Sequence, residues 1–160
     1  MIAFRIKNIK QFMNLLLTTD VFDRYTLEEG VIKTYLTYTL DGLYEKSFYD
    51  EDDPVKDMSF NDGYTPWGLV RASCTELIRG KHTPVFMKFV LHGPVTDFPD
   101  LPDHQNIKAL LIMIRFENTG LTLTTGTSLN TFSMSHDADK YWDSRVRELL
   151  NETGVEFEEM

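Results

Sequence analysis

The spacing of apolar residues changes along the chain often enough to divide it into elements. Ile2, Phe4 and Ile6 alternate with Ala3, Arg5 and Lys7, the two-residue period of a strand with one side toward a core. Asn8 stands where a helix needs a cap and Gln11, three residues on, completes a capping-box pattern. Ile9, Phe12, Met13 and Leu16 then follow at helical spacing. Tyr25 to Tyr49 is rich in Tyr, Thr, Val, Ile and Leu, and its Asp41-Gly42 pair favours a tight hairpin turn. Strands are expected at Tyr25 to Glu29, Val31 to Leu40 and Leu43 to Tyr49. Asp50 to Thr65, with its acids, Pro54 and Gly63, reads as a surface loop that divides the chain into halves.

The clearest helix and strand lie between Trp67 and Gly93. Thr65-Pro66 can open a helix, and Trp67, Val70, Cys74, Leu77 and Ile78 make one apolar stripe opposite Arg71, Thr75 and Arg79. Gly80 is expected in the left-handed conformation that ends a helix, with Lys81 beside the negative end of its dipole. After Pro84 the period becomes two: Val85, Met87, Phe89 and Leu91 face one way, Phe86, Lys88, Val90 and His92 the other. A short connection forces the helix stripe onto that strand's apolar face.

Gly93 to Asn106 holds three prolines and three aspartates and reads as a loop. Ile107 to Phe116 is apolar on both sides, an interior strand, and a turn at Asn118-Thr119-Gly120 leads into a partner carrying Leu121 and Leu123. Gly126 breaks that alternation, which predicts a bulge or a further short strand near Phe132 and Met134. A last helix is expected over 137–152, burying Ala138, Trp142, Val146 and Leu149 and stopped by Gly154; the acidic residues after it are expected to be loose. The fold class is α+β: one domain over 1–160 with helices packed on antiparallel sheet.

Composition narrows the function classes. A hydrophobic share of 42% with 12% aromatics describes a globular chain rather than a disordered one. A single cysteine excludes an intramolecular disulfide and fits a reducing compartment, and its place on the apolar stripe makes Cys74 a packed thiol rather than a nucleophile. The first residues interleave Arg5, Lys7 and Lys10 with apolar positions, unlike a signal peptide, and no stretch is apolar enough to span a membrane. A cytoplasmic location without membrane contact is expected. The net charge of −9 comes from 50–62 and 152–160, so the remaining body is neutral and leaves room for a local basic face.

The order strand, helix, strand, strand, strand in residues 2–49 returns in 55–125, provided that Val55 to Phe60 is a strand. That plan resembles one domain of the sliding clamps that hold polymerases on DNA. The resemblance implies helices facing phosphate, for which the sequence offers Lys7, Lys10, Arg71, Arg79 and Lys81. Clamp chains string two or three such domains together, and this chain has one. The stretches FRIKNIKQFMNLLL, YTLDG, WGLVRASCTELIRGKHTP and LTLTTGTSL are similar to a family of small bacterial proteins of unassigned function, which implies no catalytic residues.

Motifs with chemistry are sparse. Gly80-Lys81-His82-Thr83 ends like a phosphate-binding loop, but Thr75 stands where its first glycine belongs, and a helix precedes it. No nucleophile elbow exists, and Asp50 to Asp53 lacks the glycine of a calcium loop. His82 and His136 are isolated. His92, Asp97, Asp100, Asp103 and His104 form the best candidate metal set, with His92, Asp100 and His104 as its core. Two readings follow. The first is a non-enzymatic module contacting DNA through Lys10, Arg71, Arg79 and Lys81, or contacting a protein partner or a further copy of the chain, and using no cofactor. The second is a small metal-dependent hydrolase or ligand-binding protein built on the His92–His104 loop.

Overall fold

The computed structural model describes residues 1–56 and 63–160. Its frame is an antiparallel sheet of eight strands: β1 (Ala3–Ile6), β2 (Thr26–Lys33), β3 (Thr37–Asp41), β4 (Thr65–Pro66), β5 (Phe86–His92), β6 (Ile107–Glu117), β7 (Gly120–Leu129) and β8 (Phe157–Glu159). The strand order is β3-β2-β5-β6-β7-β1-β8, with β4 pairing β2. Among the described residues there are three α-helices, α1 (Ile9–Thr18), α2 (Trp67–Ile78) and α3 (Asp137–Glu152). An α+β class with antiparallel sheet is therefore observed.

Register explains which side the helices cover. Phe4 lies opposite Leu123, Leu123 opposite Ile114 and Ile114 opposite Phe89, so one row of buried side chains crosses the sheet. On that face Trp67 of α2 meets Phe89 edge-on at 5.3 Å, and Trp142 of α3 donates its indole N–H to the Leu111 carbonyl. α1 joins them, since the Trp67 indole donates to the Leu16 carbonyl at 2.8 Å. The opposite face carries Arg5, Thr122, Thr124, Arg115, Lys88 and Thr39 and none of these three helices, although Val90 and His92 on it are buried, His92 against the Tyr64 ring.

Several elements match the sequence pattern. Asn8 caps α1 by accepting from the Gln11 N–H, although the Gln11 amide donates to the Gly154 carbonyl instead of closing a capping box. The α2 stripe is buried at Trp67 and Cys74, with Val70, Leu77 and Ile78 packed beside them. α3 ends on Gly154 at φ 75°, and buries Leu150 more deeply than Leu149.

Other expectations fail for identifiable reasons. Gly30 does not break β2; it lies under Leu40, whose Cδ1 would be 3.1 Å from an added Cβ. The hairpin turn consequently falls at 34–36, where the Thr34 N–H donates to the Leu36 carbonyl. Gly42 serves close approach, not turning, because its Cβ would sit 1.6 Å from the Leu27 carbonyl oxygen. Leu43 to Tyr49 makes one bridge, Leu43 to Tyr64, and then a 3-10 turn over Lys46–Phe48. Pro66 caps α2 from outside, and Gly80 is not left-handed, since α2 stops one residue earlier with Arg79 extended. Gly126 stays in register opposite Leu111, while Phe132 and Met134 are exposed outside any strand. The acidic end is not loose: it forms β8 on β1, held by Phe157 against Phe4 at 5.2 Å and by Arg147 paired with Glu159. Most of the strand expected at Val55 to Phe60 lies outside the described residues; Val55 and Lys56 are in a turn.

Candidate nucleic-acid interface

The β6–β7 hairpin marks one end of the sheet, and several exposed cations lie there. Lys33 ends β2 opposite Phe86, which lies opposite Glu117, so the β2–β3 turn, the start of β5 and the Asn118-Thr119 turn share that end. Ile6 lies opposite Leu121, which puts Lys7 and the start of α1 there too. α2 runs antiparallel to α1, because Trp67 and Arg71 at its start bond the Leu16 and Leu17 carbonyls at the finish of α1. Lys10 and the Arg79–His82 segment are therefore brought to the same end. Lys7, Lys10, Lys33, Arg79 and Lys81 are exposed, and none makes an ion pair among the described residues.

Arg71 belongs elsewhere. It sits at the far end, donating to both Asp23 carboxylate oxygens at 2.8 and 3.3 Å and to the Leu17 carbonyl. Hydrogen bonding to Asp23 raises its pKa, and the fork ties α2 to the segment after α1. It faces a carboxylate, which corrects its grouping with Lys10, Arg79 and Lys81. Asp20, Asp23, Asp97, Asp103, Asp137 and Asp139 populate this far end together with Lys108 and Lys140, so acids outnumber cations there, while Glu117 and Glu156 share the end that carries Lys7 and Lys33.

The metal set is not assembled. His92, buried at the end of β5, packs against the Tyr64 ring with Glu28 3.5 Å from its Nε2. Asp97 takes both hydrogen bonds of Arg24, at 2.5 and 2.9 Å. Asp100 accepts from the Tyr141 hydroxyl at 2.5 Å, which is the main cause of its lowered pKa. Asp103 accepts from Asn106, and His104 opens a 3-10 turn. Among the described residues no three His, Cys, Asp or Glu side chains lie close enough to hold a metal ion. The loop's carboxylates act as turn and strut anchors.

Across residues 15–158 the chain matches the model of DUF5721, a family of unknown function. It is a member of DUF5721. The resemblance read from its sequence to a family without assigned activity holds, and no curated protein and no solved structure matches it. Lys33, Arg79 and Lys81 fall inside the DUF5721 span, Lys7 and Lys10 before it.

Two further features of this DUF5721 chain lie among the described residues. A cleft of about 20 Å³, lined by Asp103, Thr127, Ser133, Ser135, Ala138 and Asp139, has space for about one water molecule. Its Asp139 carboxylate already accepts from Thr127 and lies 3.4 Å from His136 Nδ1. Cys74 is buried, which pushes its thiol up to about 12 and keeps it protonated. No helix is long and apolar enough to cross a membrane among the described residues. Sequence reasoning missed Lys33: a turn assigned to Asp41-Gly42 leaves it in mid-strand, and only the Val85 N–H to Lys33 carbonyl bond, 2.9 Å, shows it beside the α2–β5 connection.

Proposed function

We propose that this chain is a non-enzymatic interaction module whose basic sheet end contacts a nucleic-acid backbone. The observation that carries the reading is the convergence of Lys10, Arg79 and Lys81, with Lys7 and Lys33, at one pole of a chain whose net charge is −9. Exposed cations grouped without partners favour a polyanion, whereas the acidic pole turns it away and so orients it.

The clamp-like part of the proposal is architectural. We read 1–160 as one domain in which residues 2–49 and 55–125 repeat a plan. Part of the sheet order supports this: β1-α1-β2-β3 and β4-α2-β5-β6-β7 meet at the β2–β5 pair, α1 packs against α2, and β1 pairs β7, although the first unit has one strand fewer because Leu43 to Tyr49 forms none. A fold-level likeness does not by itself carry function, so the test is on binding.

Fluorescence anisotropy with a labelled DNA should give affinity that falls steeply with salt, with a log–log slope of about −3 if three to four phosphates are neutralised. Lys10→Glu, Arg79→Glu and Lys81→Glu together should weaken binding at least about tenfold and flatten the slope. Lys108→Glu with Lys140→Glu, reversed at the other pole, should leave it unchanged. Equal loss from both sets removes the proposed surface.

A further inference from the structure

The basic end also presents an aromatic side chain in the open. Tyr35, at the tip of the β2–β3 turn, is 87% exposed, and Val85 beside that turn is 61% exposed. Tyr35 is anchored despite its exposure. The Thr34 N–H to Leu36 carbonyl bond and the Thr37–Lys33 pair fix the turn. Tyr38 packs against the core on the helix-bearing side, opposite Ile32, and the Val85 N–H to Lys33 carbonyl bond holds the α2–β5 connection, which carries Arg79 and Lys81, beside the turn. Lys33 flanks the same tip from the open face of the sheet, where the Arg115 guanidinium, paired with Glu117, covers the Phe86 ring at 5.4 Å.

Cations on both sides of a presented ring distinguish between polyanions. In a duplex the base faces are stacked on one another and closed to a side chain. In a single strand each base offers its face, and stacking on an aromatic ring adds to phosphate contacts without regard to sequence. We infer that this end of the molecule binds single-stranded nucleic acid, one base stacking on Tyr35 while Lys33, Arg79 and Lys81 hold the phosphates on either side. This inference rests on the proposed backbone contact and names its ligand more narrowly.

The experiment measures anisotropy of a labelled oligo(dT) 12-mer, competed by unlabelled duplex, inorganic polyphosphate or polyglutamate of matched charge. Oligo(dT) should bind tightest. Tyr35→Ala should weaken it about fivefold or more, leave polyphosphate affinity unchanged, and leave the melting temperature near that of the parent chain because the side chain is exposed. Tyr35→Phe should retain most of the affinity. Oligo(dT) affinity unmoved by Tyr35→Ala, or duplex competing as well as single strand, overturns the stacking inference and leaves the backbone proposal standing. Polyglutamate competing as well as oligo(dT) assigns the surface to an acidic protein partner. Failure of every polyanion to bind removes both.

Discussion

At the residue scale, two glycines separate what sequence conveys from what it conceals. Gly42 looked like a turn glycine and Gly80 like a helix terminator, and neither is. Gly42 lets its own N–H reach the Glu28 carbonyl across a bulge between Leu27 and Glu29, where a methyl group would strike the Leu27 carbonyl oxygen. Gly42→Ala is expected to cost more than about 3 kcal/mol, because backbone rather than a flexible side chain blocks the space. Gly80 meets nothing within 4 Å and has no positive φ, so Gly80→Ala should be neutral or stabilise by up to about 1 kcal/mol through the unfolded chain. Urea unfolding of the two variants reads both. Cys74 was legible as a packed thiol from its stripe, and its burial has a pH consequence. The thiol rises from 9.0 to about 12 on folding, so the unfolded chain loses its proton first. The contribution is complete below about pH 9 and is lost as pH rises toward 12. Tyr25, also raised by burial, acts in the same direction. Native protein at about pH 8 should react slowly with a thiol reagent and rapidly in urea, and its melting temperature should fall above about pH 9.

At the element scale, periodicity located every helix and most strands, because stripes such as Trp67-Val70-Cys74 and alternations such as Met87-Phe89-Leu91 are set by local geometry. Pairing was not legible. Nothing in Phe157-Glu158-Glu159 announces a strand, since its order comes from the open edge of β1, far away in sequence. Hairpin register failed for the same reason: Gly30 is a contact residue under Leu40 and Phe89, which only the assembled sheet reveals. The β6–β7 turn was placed correctly but its strain was not foreseen. Asn118 and Thr119 both adopt positive φ, 51° and 62°, and a β-branched residue is poorly suited to that conformation. Thr119→Gly should therefore stabilise the protein by roughly 0.5–1 kcal/mol in chemical unfolding, as two-residue turns of this kind favour glycine. Phe157→Ala, which removes the edge contact with Phe4, should cost roughly 1–2 kcal/mol and speed exchange of the β1 amides.

At the scale of the whole molecule, the charge reading from sequence was right in its sum and incomplete in its geometry. Segment counts left a neutral body; the fold then sorted that body into poles by running α1 and α2 antiparallel over one face. Arg71, one helical turn from the start of α2, went to the acidic pole and Arg79 to the basic one. Arg71→Ala should accordingly lower the melting temperature without changing the salt slope of DNA binding. The sheet edges bear on self-association by the same reasoning. β3 offers five residues at one edge and β8 three at the other, too few for the roughly 1,000 Å² that a stable interface needs. Joining them between copies would also bring Glu158 and Glu159 toward the strand that ends at Asp41, and acidic edges resist such pairing. Light scattering on a sizing column should return the mass of one chain across micromolar concentrations. A mass of several chains would overturn this expectation, and would make an assembly, rather than a single basic pole, the unit that meets nucleic acid.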